Sequence, residues 1–239
     1  MQILEGEKVT KHFGGLAAVN RVDFDIRQSE VVGLIGPNGA GKTTLFNLIS
    51  GFLPTTAGEI RYKGKKITGL KPHQICKKGV ARTFQSAKLF SGMTVFENVF
   101  AASLFGTKRT ISVPDAEKEA KELLEFVELS TVGAMLAKDL PIGGRKRLEV
   151  ARALATKPDL LMFDEVMAGL NPAEVAQAME LITKIRNKGI TIFMIEHVMK
   201  AIMSVCDRII VLNHGSKIAE GTPEEIAASK TVVEVYLGE

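Results

Sequence analysis

Apolar residues recur along this chain in two rhythms. Short unbroken runs at 31–35, 160–163, 190–195 and 208–212 have the length and density of strands buried on both faces. The first of these closes a stretch of 35 residues that reads as three short strands, and another strand is expected near 58–62. Elsewhere the spacing is helical: Leu45, Phe46, Leu48 and Ile49 predict a helix over 42–49, and a further helix is predicted over 171–186. From about 86 to 157 the helical rhythm stands alone, with helices predicted over 95–104, 114–128 and 144–156 and no strand. Strands alternating with helices imply an α/β fold on a mostly parallel sheet. The all-helical stretch reads as an inserted subdomain, with 1–85 and 158–239 forming the core of one domain.

Composition adjusts this picture only slightly. The 239 residues, 46% of them hydrophobic, are enough for one sizeable core. A net charge of +4, dispersed along the chain, gives no basis for nucleic-acid binding, although it suits an anionic nucleotide or a membrane surface. Cys76 and Cys206 form no CxxC pair, so neither a disulfide framework nor a metal site is suggested, and a reducing cytoplasm fits. The N-terminal residues show no basic segment followed by an apolar run, and nowhere do about 18 apolar residues run together. Any membrane-spanning part of the chain's task would then fall to another protein.

Candidate chemistry begins directly after the first buried run. Gly36, Pro37, Asn38, Gly39, Ala40, Gly41, Lys42 and Thr43 fit GxxxxGK[ST] between a strand and a helix. In such a loop the backbone N–H groups wrap nucleotide phosphates, the lysine reaches the β- and γ-phosphates and the hydroxyl of Thr43 faces Mg²⁺. The following helix turns the positive end of its dipole to the same anion. A second element ends the run at 160–163, where Asp164 and Glu165 leave a strand at the sheet edge that binds ligands in open α/β proteins. Asp164 suits the Mg²⁺ shell, and Glu165 is then available to orient or deprotonate a water attacking the γ-phosphate.

With these elements in order, the sequence resembles the ABC ATPases over essentially its whole length. The resemblance implies a P-loop NTPase fold with an N-terminal antiparallel β region, and ATP with Mg²⁺ as ligands. It implies that Gln85, in Arg82-Thr83-Phe84-Gln85, senses the γ-phosphate and Mg²⁺, and that Ala168 to Asn171 forms the loop by which two subunits signal to each other. His197 is similar to the switch histidine that contacts the γ-phosphate, Phe13 to the aromatic that stacks on adenine, and Thr44 joins the nucleotide-binding set. Leu89, Phe90, Met93, Val95 and Phe96 lie where the family forms a groove for a short helix of a membrane permease. The implied partners are therefore permease subunits and a second ABC ATPase subunit, a copy or a paralogue. The implied place is the cytoplasmic face of the membrane.

One segment departs from the family. Where its members carry LSGGQ, this chain has Leu140-Pro141-Ile142-Gly143-Gly144, in a register fixed by the matching 147–154. Pro141 has neither hydroxyl nor N–H, so two donors to the partner's nucleotide are lost, while the N–H of Gly143 and the helix dipole remain. Val166, where proline commonly follows the acidic pair, is a smaller departure. The stretches at 11–19, 81–85, 168–172, 195–197 and 232–239 look most like the ATP-binding subunits of branched-chain amino-acid importers, and lipopolysaccharide exporters share several of them. A soluble ABC ATPase of translation or DNA repair usually has two cassettes or a long coiled-coil insertion, and neither is present. A purely regulatory nucleotide-binding subunit, which the altered signature would suit, sits poorly with an intact Glu165 and His197.

Overall fold

The computed structural model describes residues 1–85, 88–107 and 110–237. Three strands do occupy the first 35 residues, but two are long: β1 (Gln2–Phe13) and β2 (Leu16–Arg27) run antiparallel before the short β3 (Val31–Ile35). Their length was hidden because the pairing slips repeatedly, as between Gly6 and Val9, where Lys8 has φ 45°. Such bulges break the period of two on which a sequence reading depends. After α1 (Lys42–Ile49), β4 (Ala57–Tyr62) and β5 (Lys65–Lys66) complete a four-stranded antiparallel sheet in the order β2-β1-β4-β5.

α2 (Pro72–Cys76) leads into β6 (Val80–Arg82), an edge strand of three residues, too short to show any periodicity. The helical stretch follows as α3 (Val95–Phe105), α4 (Val113–Phe126) and α5 (Ile142–Ala155), close to the predicted bounds. The cap sequences account for two of the starts. Thr94 accepts from the Glu97 N–H while Glu97 returns to the Thr94 N–H, and Ser112 accepts from the Asp115 N–H. Then come β7 (Leu160–Asp164), α6 (Pro172–Asn187) with Asn171 as N-cap, β8 (Thr191–Ile195), α7 (Met199–Val205), β9 (Arg208–Asn213), β10 (Ser216–Gly221), α8 (Pro223–Ala228) and α9 (Lys230–Leu237).

The second sheet has the order β10-β9-β3-β8-β7-β6, parallel except for β10. Every residue of β3, β7 and β8 is buried, as their unbroken apolar runs require. On one face α1 is held between the two sheets: Phe46 of α1 lies 4.9 Å from Phe193 of β8, which stacks at 6.3 Å on Phe24 of β2. Each buried ring contributes about 2–3 kcal/mol through removal from water. On the other face the same sheet packs against the helices through Leu148, Phe163, Ile182 and Ile202. Because β3, β6, β7 and β8 are parallel, their C-terminal ends share one edge. The phosphate loop, Gln85, the acidic pair and His197 all leave the sheet there. No helix among the described residues is long and apolar enough to cross a membrane.

Candidate functional site

The phosphate loop closes through backbone contacts that only glycine allows at two positions. Gly36 has φ 147° and a Cβ there would stand 2.1 Å from the Leu212 carbonyl oxygen; Gly41 has φ 102° and its Cβ would stand 2.3 Å from that of Ala18. The loop is thereby held between β2 and the turn after β9, and the Gly215 N–H donates to the Ala40 carbonyl at 3.0 Å. Lys42 is buried, with Nζ donating to the carbonyls of Gly36 at 2.5 Å and Pro37 at 2.8 Å, so its charge sits inside the loop. Asn38, Gly39 and Thr43 are exposed on the crown. Thr44 is half-buried behind them. Phe13 stands 48% exposed at the tip of the β1–β2 hairpin, its ring 5.1 Å from Nζ of Lys11, available to a flat apolar partner.

The adjacent carboxylates part company at the end of β7. Asp164 stays in the strand, its side chain 4% exposed, and Arg82 donates to its Oδ2 at 2.6 Å. Glu165 adopts φ 54°, a left-handed conformation that a non-glycine residue holds only under tertiary constraint, and its N–H donates to the Ile195 carbonyl. Its carboxylate is gripped from two sides. Gln85 donates through Nε2 to Oε2 at 2.8 Å, and His197 presents Nε2 to Oε1 at 3.1 Å. The structure thus gathers Gln85, Glu165 and His197, 80 and 32 residues apart, around one carboxyl group.

Four residues with no assigned role in the sequence reading hold this cluster. Lys146 of α5, buried, donates to the carbonyls of Gln85 at 3.0 Å and Glu165 at 2.9 Å. One turn on, Glu149 accepts from the Phe84 N–H at 3.0 Å, and Arg152 donates to the Lys88 carbonyl. Burial raises the Glu149 carboxyl, with the backbone N–H groups of Phe84 and Lys88 pulling the other way. Spaced at three-residue intervals, these side chains form one ridge by which α5 grips the Gln85 segment. In sequence the ridge looks like the solvated face of an ordinary amphipathic helix. The fourth is Glu196, buried beside Glu165, which accepts from the Met167 N–H at 2.8 Å and whose carboxyl burial pushes up to about 7.

At the start of α5, Pro141 is the N-cap residue and makes no side-chain cap. Pro141 and Ile142 are exposed, whereas Gly143 is buried: a Cβ on it would meet Oε1 of Glu174 at 2.6 Å. Glu174 also accepts from the Asn171 N–H at the start of α6. The signature segment is therefore packed against the first turn of α6.

Thr43 and Asp164, with the amide oxygen of Gln85, offer hard oxygen donors of the kind Mg²⁺ takes. Among the described residues no group of three or more His, Cys, Asp and Glu could hold a metal alone. Three hard oxygen donors of this kind suit a Mg²⁺ ion whose remaining positions are taken by phosphate oxygens and water. Beside the cluster, between α2, α3, α5 and β6, lies a groove of about 500 Å³ walled by Phe52, Phe84, Phe90 and Phe105. Of the five apolar residues expected there, only Phe90 lines it; Val95 is fully buried in the core and Phe96 stacks on Phe100.

Comparison with known proteins identifies the family. Residues 19–168 match the ABC transporter family, and residues 216–239 match the family described as branched-chain amino acid ATP-binding cassette transporter. The chain is 44% identical to the high-affinity branched-chain amino acid transport ATP-binding protein BraF of Pseudomonas aeruginosa, over 99% of this chain and 98% of that protein. It is 45% identical to the corresponding LivG of Salmonella typhimurium, over 95% and 94%. The lipopolysaccharide export system ATP-binding protein LptB of Haemophilus influenzae is 34% identical over 100% and 98%. Among solved structures, the ADP conformation of an ATP-binding cassette of an ABC transporter superposes with TM-score 0.90 at 33% identity, covering 100% of both chains. A dimeric post-hydrolysis cassette bound to ADP and Pi gives TM-score 0.84 at 26% identity, covering 92% of this chain and 99% of that one.

Proposed function

This chain belongs to the ABC transporter family as an ATP-binding, ATP-hydrolysing cassette, and from that premise we propose that it energises a permease importing branched-chain amino acids. The observation that carries the catalytic part is the Glu165 carboxylate held between Gln85 and His197. In this reading Gly36 to Thr44 and Lys42 bind the phosphates, Phe13 stacks on adenine, and Thr43, Gln85 and Asp164 face Mg²⁺. Bound Mg²⁺ supplies charge neutralisation at the β- and γ-phosphates. Glu165 takes the proton of the attacking water, and Gln85 and His197 orient it against the γ-phosphate. The N–H of Gly143 serves the nucleotide held by the second cassette. Catalysis of this kind is positioning and electrostatics, which is why these groups converge on one edge of the sheet.

The stretch from about 86 to 157 acts as the helical subdomain in this scheme, and the groove walled by Phe52, Phe84, Phe90 and Phe105 receives a helix of the permease on the cytoplasmic face of the membrane. The amino-acid reading is favoured over lipopolysaccharide export by the higher identity to BraF and LivG and by the family match at 216–239. Reconstitution tests it. The chain, a cognate second cassette and the permease in proteoliposomes are expected to accumulate labelled leucine, isoleucine or valine when ATP is supplied on the cassette side. Extraction of lipopolysaccharide without amino-acid uptake would transfer the chain to the exporter branch. Failure to copurify with any permease would remove the docking role.

A further inference from the structure

One charged side chain joins the groove to the acidic pair. Arg82 closes the edge strand β6, and its side chain is only 6% exposed. NH2 donates to Asp164 Oδ2 at 2.6 Å, and NH1 donates at 2.8 Å to both Asn47 Oδ1 and Ser50 Oγ, on and just after the helix that follows the phosphate loop. Its guanidinium carbon lies 5.3 Å from the ring of Phe84, 5.6 Å from that of Phe46 and 5.8 Å from that of Phe52. Arg82, Phe52 and Phe84 also line the groove, while Nε has no hydrogen-bond partner among the described residues.

Such an arrangement is costly to bury unless it fixes something. A buried ion pair gives little net stability over an apolar replacement, so its value lies in geometry. Here the fork of one guanidinium ties Asp164 to α1, and the aromatic stack sets the angle of the fork. We propose that Arg82 is the positioning residue of the metal site: it holds the Asp164 carboxylate in the orientation in which it meets a Mg²⁺–nucleotide, and transmits to that carboxylate any displacement of the aromatic wall of the groove. The inference rests on the reading of Asp164 as a Mg²⁺-facing group. It adds a residue with no phosphate contact of its own and a physical route, Phe52 and Phe84 to Arg82 to Asp164, from the groove to the metal.

The test measures metal affinity rather than turnover. The full chain, loaded with a non-hydrolysable ATP analogue, is titrated with Mn²⁺ as a paramagnetic substitute for Mg²⁺ and read by electron paramagnetic resonance; nucleotide affinity is measured in parallel without metal. Arg82→Gln is expected to weaken Mn²⁺ binding about tenfold or more, as loss of an orienting outer-shell partner does, with metal-free nucleotide affinity unchanged. Arg82→Lys keeps the charge but cannot fork to three partners, and recovers part of the loss; if Arg82→Gln fails to fold, this variant carries the test. Phe52→Ala, which removes a ring lying against the guanidinium, is expected to weaken Mn²⁺ binding about threefold. Wild-type Mn²⁺ affinity in both Arg82 variants, with Asp164→Asn weakened, would overturn the inference alone. So would an equal loss of nucleotide affinity without metal, which would make Arg82 merely structural. Wild-type Mn²⁺ affinity in Phe52→Ala would sever the groove from the site, and wild-type affinity in Asp164→Asn would remove the reading beneath the whole proposal.

Discussion

The phosphate loop and the signature segment both lead directly into a helix N-terminus, yet they are built in opposite ways. The loop from Gly36 to Thr43 carries most of its determinants within itself: positive-φ glycines, a lysine bonded to two of its own carbonyls, and a helix that starts at that lysine, with Ala18 and Leu212 pressing on it from outside. The signature segment carries few. Pro141 provides no cap, Gly143 is buried under Glu174, and α5 owes its placement to Lys146, Glu149 and Arg152 gripping the Gln85 segment. A locally specified site is constrained where its glycines meet backbone, whereas a site specified by packing can lose its consensus letters and keep its position.

Paired alanine substitutions test that contrast most severely. Gly41→Ala places a Cβ against a backbone oxygen at positive φ, and is expected to cost about 4 kcal/mol through strain and overpacking, seen as a large drop in the urea midpoint and loss of nucleotide binding. Gly143→Ala meets the end of a flexible glutamate, with Leu170 at ordinary contact distance, and is expected to cost far less; equal losses would dissolve the distinction. Next in size is Glu165→Gln, which keeps the shape of the side chain but replaces one acceptor oxygen by an NH2 group and removes its basicity. ATP hydrolysis is expected to fall about 100-fold or more, about 3 kcal/mol in the barrier, with nucleotide binding retained. Retained turnover would remove Glu165 as the base.

Glu196 belongs to the packed side of the comparison, since it anchors the Met167 N–H between the acidic pair and α6. Its pKa is raised from 4.5 to about 7, chiefly by burial. The folded state therefore holds this proton more tightly than the unfolded chain. Its contribution is fully present below pH 4.5 and is lost as pH rises through 7, a total change of about 3 kcal/mol of which about 2 kcal/mol falls between pH 5.5 and 8. Unfolding free energies at pH 5.5 and 8 should differ in that sense, and Glu196→Gln should flatten the difference. The smallest effect is at the cap of α5. Pro141→Ser supplies an N-cap oxygen and should add about 1 kcal/mol, a rise in Tm of about 2–4 °C. Turnover rising with it would show that the proline limits the shared site.

Much of this molecule was already determined by its sequence. The phosphate loop, the buried strands around it, the helices from Val95 to Ala155 and the identities of Gln85, Asp164, Glu165 and His197 rest on short-range pattern, family resemblance, or both. Other features have no local signature. The true lengths of β1 and β2 are masked by bulges, and β6 is a strand only because β7 pairs with it. Arg82 meets Asp164 across 82 residues, Lys146 meets Gln85 across 61, and Glu196 meets Met167 across 29. A charged residue on a helix or at a strand end looks the same in sequence whether water or a buried carboxylate will be its partner. The sequence by itself therefore determined which chemical groups the site contains. Tertiary structure alone decided how those groups are held, because parallel strand pairing and the packing of α5 bring together residues that no local spacing relates.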